Sequence, residues 1–158
     1  MSEALSRRLS QAQFTDPLQE ALLSLLVAAN TLNDLMDELC EMHRITRPQY
    51  NVLRILRGVH PEGHARCEIA RRMIDRAPDV TRLVDRLQAR GLVKRFRGND
   101  DQRQTITSIT AKGLKLLARM QPEIDAAVGA RLRTLTHEDC RELSRLCGAI
   151  LEPASAEM

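Results

Sequence analysis

The chain has 158 residues, of which 43% are hydrophobic and 28% charged, and its aromatic residues are two Phe and one Tyr. This length and composition fit one compact domain with extensions. No apolar run is long enough to predict a transmembrane helix, and the polar N-terminus lacks the apolar segment of a secretory signal. A cytoplasmic protein is therefore expected. Because aromatic side chains are so few, binding of single-stranded nucleic acid by base stacking is disfavoured.

Positive charge is concentrated in the middle of the sequence. The net charge is +3, but residues 66–103 carry eleven Lys or Arg against six Asp or Glu, and the remaining residues carry thirteen against fifteen. A basic segment between neutral or acidic ends indicates a region that faces a polyanion. A solvated charged surface explains the same composition, so charge alone leaves the two interpretations open.

A long helix is predicted near the N-terminus. Asp16 and Pro17, a capping residue followed by proline, mark its start. Beyond them, apolar residues recur every seven positions in two interleaved series: Leu18, Leu25, Leu32 and Leu39, and Leu22, Ala29 and Met36. This a/d spacing predicts a helix with a coiled-coil-like seam. The seam alone does not decide whether the helix packs on its own domain or on a partner chain.

The middle of the chain predicts three helices and a β-hairpin. Thr46 caps a helix that ends at Gly58, and a turn follows at residues 59–63. Two short helices then occupy residues 66–74 and the segment from Ala77–Pro78 to Gly91. Strands at 92–97 and 104–109, joined by a turn at 98–101, form the hairpin.

Two further helices complete the predicted order. Thr110 caps a long helix with Pro122 inside it, and Thr136 with Asp139 forms a capping-box pair for the last helix. That last helix again has apolar residues at a/d spacing. A helix, a turn, a second helix and a hairpin are the order of a winged helix-turn-helix, in which the second helix enters the major groove of DNA.

The predicted second helix has a polar face that suits DNA. At 100° per residue, Val80, Val84 and Leu87 point one way, and the opposite side presents short side chains with Arg82 and, flanking it, Arg86. These arginines are placed to reach guanine edges or phosphates. The same face carries acids, Asp79 and Asp85, which count against simple phosphate binding. They would accept hydrogen bonds from cytosine amino groups or orient the neighbouring arginines.

Four runs of sequence carry a resemblance to a known family: Arg82–Leu87, Arg90–Arg95, Asp101–Arg103 and Ile109–Gly113. With their spacing and the order of elements, they resemble the MarR (multiple antibiotic resistance regulator) family. The resemblance implies a mainly α fold with a small β-hairpin, a winged helix-turn-helix with N- and C-terminal dimerisation helices. It implies one domain at residues 16–151, with a DNA-binding lobe at 46–109, dimerisation helices at 16–43 and 110–151, and flexible ends at 1–15 and 152–158.

The same resemblance implies a function. It describes a sequence-specific DNA-binding regulator, a repressor in its usual form, that binds a pseudo-palindromic operator of duplex DNA as a homodimer and is released by a small molecule. Arg82 and Arg86 lie on the recognition helix, and in the wing Asp101 braces Arg103 for the minor groove. Gln102 departs from the family pattern, since many members carry a second arginine there. The DNA-binding residues expected are Pro78, Asp79, Thr81, Arg82, Arg86, Arg95, Arg97, Asp101 and Arg103.

Family members that bind phenolic or aromatic acids hold them between the dimerisation and DNA-binding parts. His43, Arg47 and Tyr50 fall near that junction and are the candidate effector residues, although capping of helix ends explains them equally well. The alternatives to a ligand-released regulator are a helical protein-interaction module without DNA binding and a cysteine-based redox sensor. No enzyme is expected, because no Gly-rich phosphate loop, nucleophile elbow or metal-ligand helix occurs.

Cysteine and histidine residues give no clear site. The four cysteines are widely spaced, as in proteins of a reducing compartment. His60, His64 and Cys67 have zinc-ligand character but lack an evident fourth ligand, so neither a metal nor another cofactor is expected. Acidic neighbours should keep the Cys40 thiol protonated and inert, whereas Cys67 has arginines around it and is the better redox candidate.

Overall fold

The computed structural model describes residues 3–10, 16–74, 79–97 and 105–152. Contacts within the chain divide it into two compact units, residues 1–124 and 125–158. The elements are α1 (Glu3–Leu9), α2 (Pro17–Met42), α3 (Arg47–Arg57), β1 (His64–Ala65), α4 (Arg66–Arg72), α5 (Val80–Ala89), β2 (Val93–Arg97), β3 (Thr105–Ile109), α6 (Ala111–Leu132) and α7 (His137–Leu151). The predicted mainly α fold with a small β-hairpin is confirmed.

Capping side chains begin the helices where the sequence predicts. The Asp16 carboxylate accepts a hydrogen bond from the Leu18 N–H at 2.9 Å, with Pro17 in the first turn of α2. Thr46 and Thr136 each start a capping box, so α3 and α7 begin as expected. These side chains satisfy N–H groups that have no partner inside the helix.

No glycine marks the end of α2 in the sequence. Arg44 adopts a left-handed conformation, with φ of 58°. Its N–H donates to the Glu41 carbonyl at 2.8 Å, and the Ile45 N–H donates to the Cys40 carbonyl at 3.0 Å. This pair of bonds is a Schellman motif, which usually has glycine at the left-handed position.

The described strands form one antiparallel sheet in the order β1-β3-β2. In the hairpin, Val93 pairs with Ile109 and Arg97 pairs with Thr105. The predicted hairpin is confirmed, while its tip at 98–101 lies outside the described residues. Strand β1 was not predicted, and its two residues pair with Ile106 and Thr107 of β3.

The core of the first unit surrounds α3. Leu53 and Leu56 of α3, Ile69 of α4 and Leu87 of α5 have no exposed surface. The start of α6 is packed tightly beside the sheet, because a Cβ at Gly113 would lie 2.4 Å from the Leu92 carbonyl oxygen. This close packing fixes the lobe that presents α5 to solvent.

One helix that the sequence did not predict and two helix boundaries differ from expectation. Residues 3–9 form α1 with Leu5 buried, while the flexibility expected at residues 1–15 stays a prediction. Helix α4 ends at Arg72 rather than residue 74, and α5 begins at Val80 with Asp79 as its cap. The proposed start at Ala77–Pro78 lies outside the described residues. Within the described part of the chain, no helix has the length and apolarity needed to cross a bilayer.

Candidate nucleic-acid interface

Helix α5 is anchored at both ends and along one face. The Asp79 carboxylate accepts a hydrogen bond from the Arg82 N–H at 3.2 Å and starts the helix. Gly91, with φ of 68°, ends it, and the Leu92 N–H donates to the Leu87 carbonyl at 3.0 Å. The buried residues of α5 are Val80, Val84 and Leu87. The helix is thus held firmly and its opposite face is open to solvent.

The exposed face of α5 carries the arginines expected from helical phasing. The Arg82 side chain is 77% exposed, and Arg86 is also exposed. Within the described residues, no carboxylate lies within 4.0 Å of the Arg86 guanidinium. Thr81 and Asp85 share this surface. Two extended cationic side chains among short ones can approach a groove and contact base edges or phosphates.

The two acids on this face lie close to arginines. Asp85 Oδ1 is 2.7 Å from a guanidinium nitrogen of Arg95, which links α5 to strand β2. Asp79 Oδ2 is 3.9 Å from Arg82 Nε. Of the two roles that the sequence left open for these acids, these contacts favour orienting the arginines. They also reduce the repulsion that a bare carboxylate would cause beside phosphate.

One basic residue of this surface was missed by sequence reasoning. A guanidinium nitrogen of Arg66, at the start of α4, donates to Thr81 Oγ1 at 3.4 Å. Arg66, Thr81 and Arg95 line a cleft of about 610 Å³ between α4, α5 and the sheet. The only signal in the sequence was the position of Arg66 at the edge of the basic segment, since its contact joins residues 15 apart.

The predicted wing residues are described only in part. Arg97 is exposed at the end of β2, and Arg95 is half-buried beside Asp85. Pro78, Asp101 and Arg103 lie outside the described residues. The structure therefore brings Asp79, Thr81, Arg82, Arg86 and Arg95 to one surface. The assignment of all nine residues to DNA binding stays a prediction.

Comparison with known proteins identifies the family. The MarR family profile matches residues 45–105, the segment from the start of α3 to the start of β3. A MarR transcription factor from Planctomyces limnophilus is 37% identical, with 87% of this chain and 99% of that chain covered and a TM-score of 0.66. The chain belongs to the MarR family. A repressor of the homoprotocatechuate degradative operon in Escherichia coli is 27% identical, covering 78% of this chain and 82% of that protein.

Two similar solved structures contain bound molecules. Sco3205, a MarR family regulator from Streptomyces coelicolor in complex with DNA, is 24% identical, with a TM-score of 0.78 over 92% of this chain and 94% of that chain. NadR in complex with 4-hydroxyphenylacetate is 24% identical, with a TM-score of 0.68 over 89% of this chain and 99% of that chain. At this identity both confirm the winged helix-turn-helix fold.

The candidate effector residues of this MarR-family chain lie in different surroundings in the described part of the structure. His43 lines a cavity of about 340 Å³, whereas Arg47 and Tyr50 are not in its lining. Arg47 Nε lies 3.2 Å from Asp37 Oδ1, and Tyr50 is 6% exposed within the core. The grouping of these three residues as one effector site therefore remains a prediction.

The cysteines of this MarR-family chain lie in contrasting surroundings. Cys40 has no exposed surface, and burial, followed by the nearby Asp37 carboxylate, raises the pKa of its thiol to about 11. The expected inertness of Cys40 follows, with burial as the larger cause. Cys67 is exposed and lines the cleft beside Arg66. Within the described residues, no group of three or more His, Cys, Asp or Glu is placed to hold a metal.

Proposed function

We propose that this protein is a homodimeric repressor that binds a pseudo-palindromic operator in duplex DNA. The observation that carries the proposal is the exposed face of α5, on which Arg82 and Arg86 extend while Asp85 is held by Arg95. In a winged helix-turn-helix this face enters the major groove. Arg95 and Arg97 of the wing strand would lie along the phosphate backbone.

The dimer is proposed from apolar surface that a single chain leaves exposed. In α2, Leu18, Leu22 and Leu26 are 76%, 54% and 50% exposed. In α7, Leu143 and Ile150 are 46% and 66% exposed, and no residue of that helix is buried. Clustered apolar residues of this kind mark association surfaces. A two-fold dimer would place the two copies of α5 about 34–36 Å apart, one turn of DNA.

Binding to DNA is best tested by fluorescence anisotropy on duplexes selected from random sequence by the purified protein. Affinity should fall steeply with salt, because cationic side chains displace counterions from phosphates. Arg86→Ala should weaken binding by about tenfold to hundredfold if the arginine contacts a base, and should lower the salt slope by about one if it contacts a phosphate.

A matched control for that variant is Arg54→Ala. Arg54 is also an exposed helical arginine, on α3, outside the proposed interface. The Arg54→Ala variant should bind the selected duplex as tightly as the unmodified protein. If the folded dimer selects no duplex, or if Arg86→Ala and Arg54→Ala behave alike, the proposal fails. The outcome without DNA binding would favour the helical protein-interaction module.

Release by a small aromatic or phenolic acid completes the proposal. The bound 4-hydroxyphenylacetate of NadR and the operon named for the Escherichia coli relative support this class of effector. We place the protein in the cytoplasm with its operator and assign it no catalytic role, in keeping with a family of transcription factors. Loss of anisotropy on addition of 4-hydroxyphenylacetate, without loss of folded protein, would be the expected result.

A further inference from the structure

A second cavity lies at the end of α5 opposite its DNA-facing start. Its volume is about 340 Å³, and its basic lining residues are Arg90, Lys112, Lys115 and Arg119, with His43 beside them. Leu92 and Leu116 supply the apolar part of the wall. Helix α5 has ten residues, so about 15 Å of helix separates this cavity from the cap at Asp79. The cavity is therefore distinct from the proposed DNA surface.

Charge around this cavity is unbalanced. Within the described residues, none of the four cationic side chains has a carboxylate within 4.0 Å. The nearest acid in the network is Glu123, whose Oε2 lies 2.7 Å from His43 Nε2. Clustered cations without counter-charges repel one another, so an anion between them is stabilised.

Capping of helix ends explains two of these cations but not all four. Arg90 donates to the backbone carbonyls of Arg44 and His43 at the end of α2. Lys112 Nζ donates to the Arg90 carbonyl at 2.8 Å, at the end of α5. Both contacts neutralise the negative end of a helix. Lys115 and Arg119 make no such contact in the described part of the chain.

Arg119 is held at the cavity wall by a side-chain relay. His43 Nε2 must donate to the Glu123 carboxylate, so its Nδ1 is free to accept a hydrogen bond from the Arg119 guanidinium, which lies 3.2 Å away. A guanidinium has five N–H donors, and this relay uses one of them. The remaining donors are available to an oxyanion, which guanidinium groups bind in two-point fashion.

We propose that this cavity binds a phosphate group, held by Lys115 and Arg119 with Arg90 and Lys112 adding positive charge. Four cations against one carboxylate favour a multiply charged anion over a monocarboxylate. Leu92 and Leu116 leave an apolar wall for the carbon skeleton of a phosphomonoester. This inference goes beyond the proposed binding of an operator. Phosphate binding at the cavity can be measured without DNA, so the two proposals can fail separately.

Isothermal titration calorimetry of the full chain tests the proposal with two probes, inorganic phosphate and glycerol 3-phosphate, at constant ionic strength. Saturable binding of one anion per chain is expected. Tighter binding of glycerol 3-phosphate would identify a phosphomonoester as the ligand, and equal binding would identify free phosphate. Absence of saturable binding of either probe would overturn the proposal.

Variants separate the cavity from general charge. The double variant Lys115→Gln/Arg119→Gln should bind phosphate at least about tenfold more weakly, because two charge-assisted hydrogen bonds are lost. Its control, Arg54→Gln/Arg57→Gln, removes two exposed positive charges from α3 and should bind normally. Equal affinity of these two double variants would contradict the assignment.

A variant expected to bind phosphate more tightly distinguishes an effect on the cavity from damage to the fold. Glu123→Gln removes the negative charge beside His43 but keeps an oxygen that can accept from the His43 Nε2–H. It should tighten phosphate binding several-fold, a gain that a misfolded protein would not show. Glu62→Gln, which removes an exposed carboxylate in the turn after α3, should leave the affinity unchanged. Weaker phosphate binding by Glu123→Gln, with the thermal unfolding midpoint preserved, would overturn the placement of the anion.

Discussion

The lobe around α3 differs from the helices α2 and α7 in how much of its apolar surface one chain buries. Helix α3 buries five of its 11 residues: Gln49, Tyr50, Val52, Leu53 and Leu56. Helix α7 buries none of its 15. In α2 the buried residues are Leu39 and Cys40, near its C-terminal end. The lobe is complete within one chain, whereas α7 and the first half of α2 carry apolar residues that one chain does not cover.

The lobe is therefore expected to be stable in one chain, whereas α7 and the first half of α2 are expected to gain stability from a partner chain. Burying a leucine side chain contributes about 1.5–3 kcal/mol of stability. Burial of the several exposed leucines of these two helices by a partner chain would therefore stabilise a dimer substantially. Partner-dependent stability also depends on protein concentration. The same substitution, leucine to alanine, should therefore have different consequences in the two regions.

The largest effect is expected in the lobe. Leu53→Ala removes a side chain with no exposed surface from the centre of α3. The lost burial and the cavity left behind should lower the free energy of unfolding by about 2–5 kcal/mol. Urea denaturation followed by circular dichroism measures the change. The loss should be similar at low and high protein concentration, and a dependence on concentration would show that the lobe is not complete in one chain.

A smaller effect of another kind is expected in α2. Leu22 is 54% exposed in the single chain. Leu22→Ala should cost about 1–2 kcal/mol per copy at a dimer interface, raising the dimer dissociation constant by roughly thirtyfold to a thousandfold for two copies. Sedimentation equilibrium measures this constant. Gln19→Ala, an exposed polar position on the same helix, is the control for helix propensity. An unchanged dissociation constant in Leu22→Ala would remove this face from the interface.

The sequence predicted the parts of the fold that depend on local rules. Helical phasing placed Val84 and Leu87 in the core and Arg82 in solvent, as the structure has them. Capping residues predicted the starts of α2, α3 and α7, and Gly91 predicted the end of α5. These features depend on neighbours within four residues, so periodicity and residue type suffice.

The features that escaped prediction depend on distant residues. Strand β1 has two residues, too few for any periodicity, and it exists through pairing with Thr107 and Ile106. The contact of Arg90 with the Arg44 carbonyl joins residues 46 apart, and that of Arg119 with His43 joins residues 76 apart. No spacing rule reaches so far. The phosphate cavity could therefore be recognised only after α2, α5 and α6 were placed.

The smallest expected effect is the low reactivity of Cys40, which lies at the end of α2 where that helix is buried in the core. The pKa of the buried Cys40 thiol is raised to about 11, and the thiolate is the reactive form. At pH 8 only about one Cys40 in a thousand is therefore ionised in the folded chain. Its labelling by iodoacetamide should be undetectable while exposed Cys67 reacts, and its rate should rise about tenfold per pH unit up to about pH 11. Mass spectrometry of tryptic peptides measures both sites, with Cys67→Ser as the control that leaves Cys40 unreactive. Rapid labelling of Cys40 at pH 8 in folded protein would mean that this end of α2 opens in solution and is not a stable part of the core.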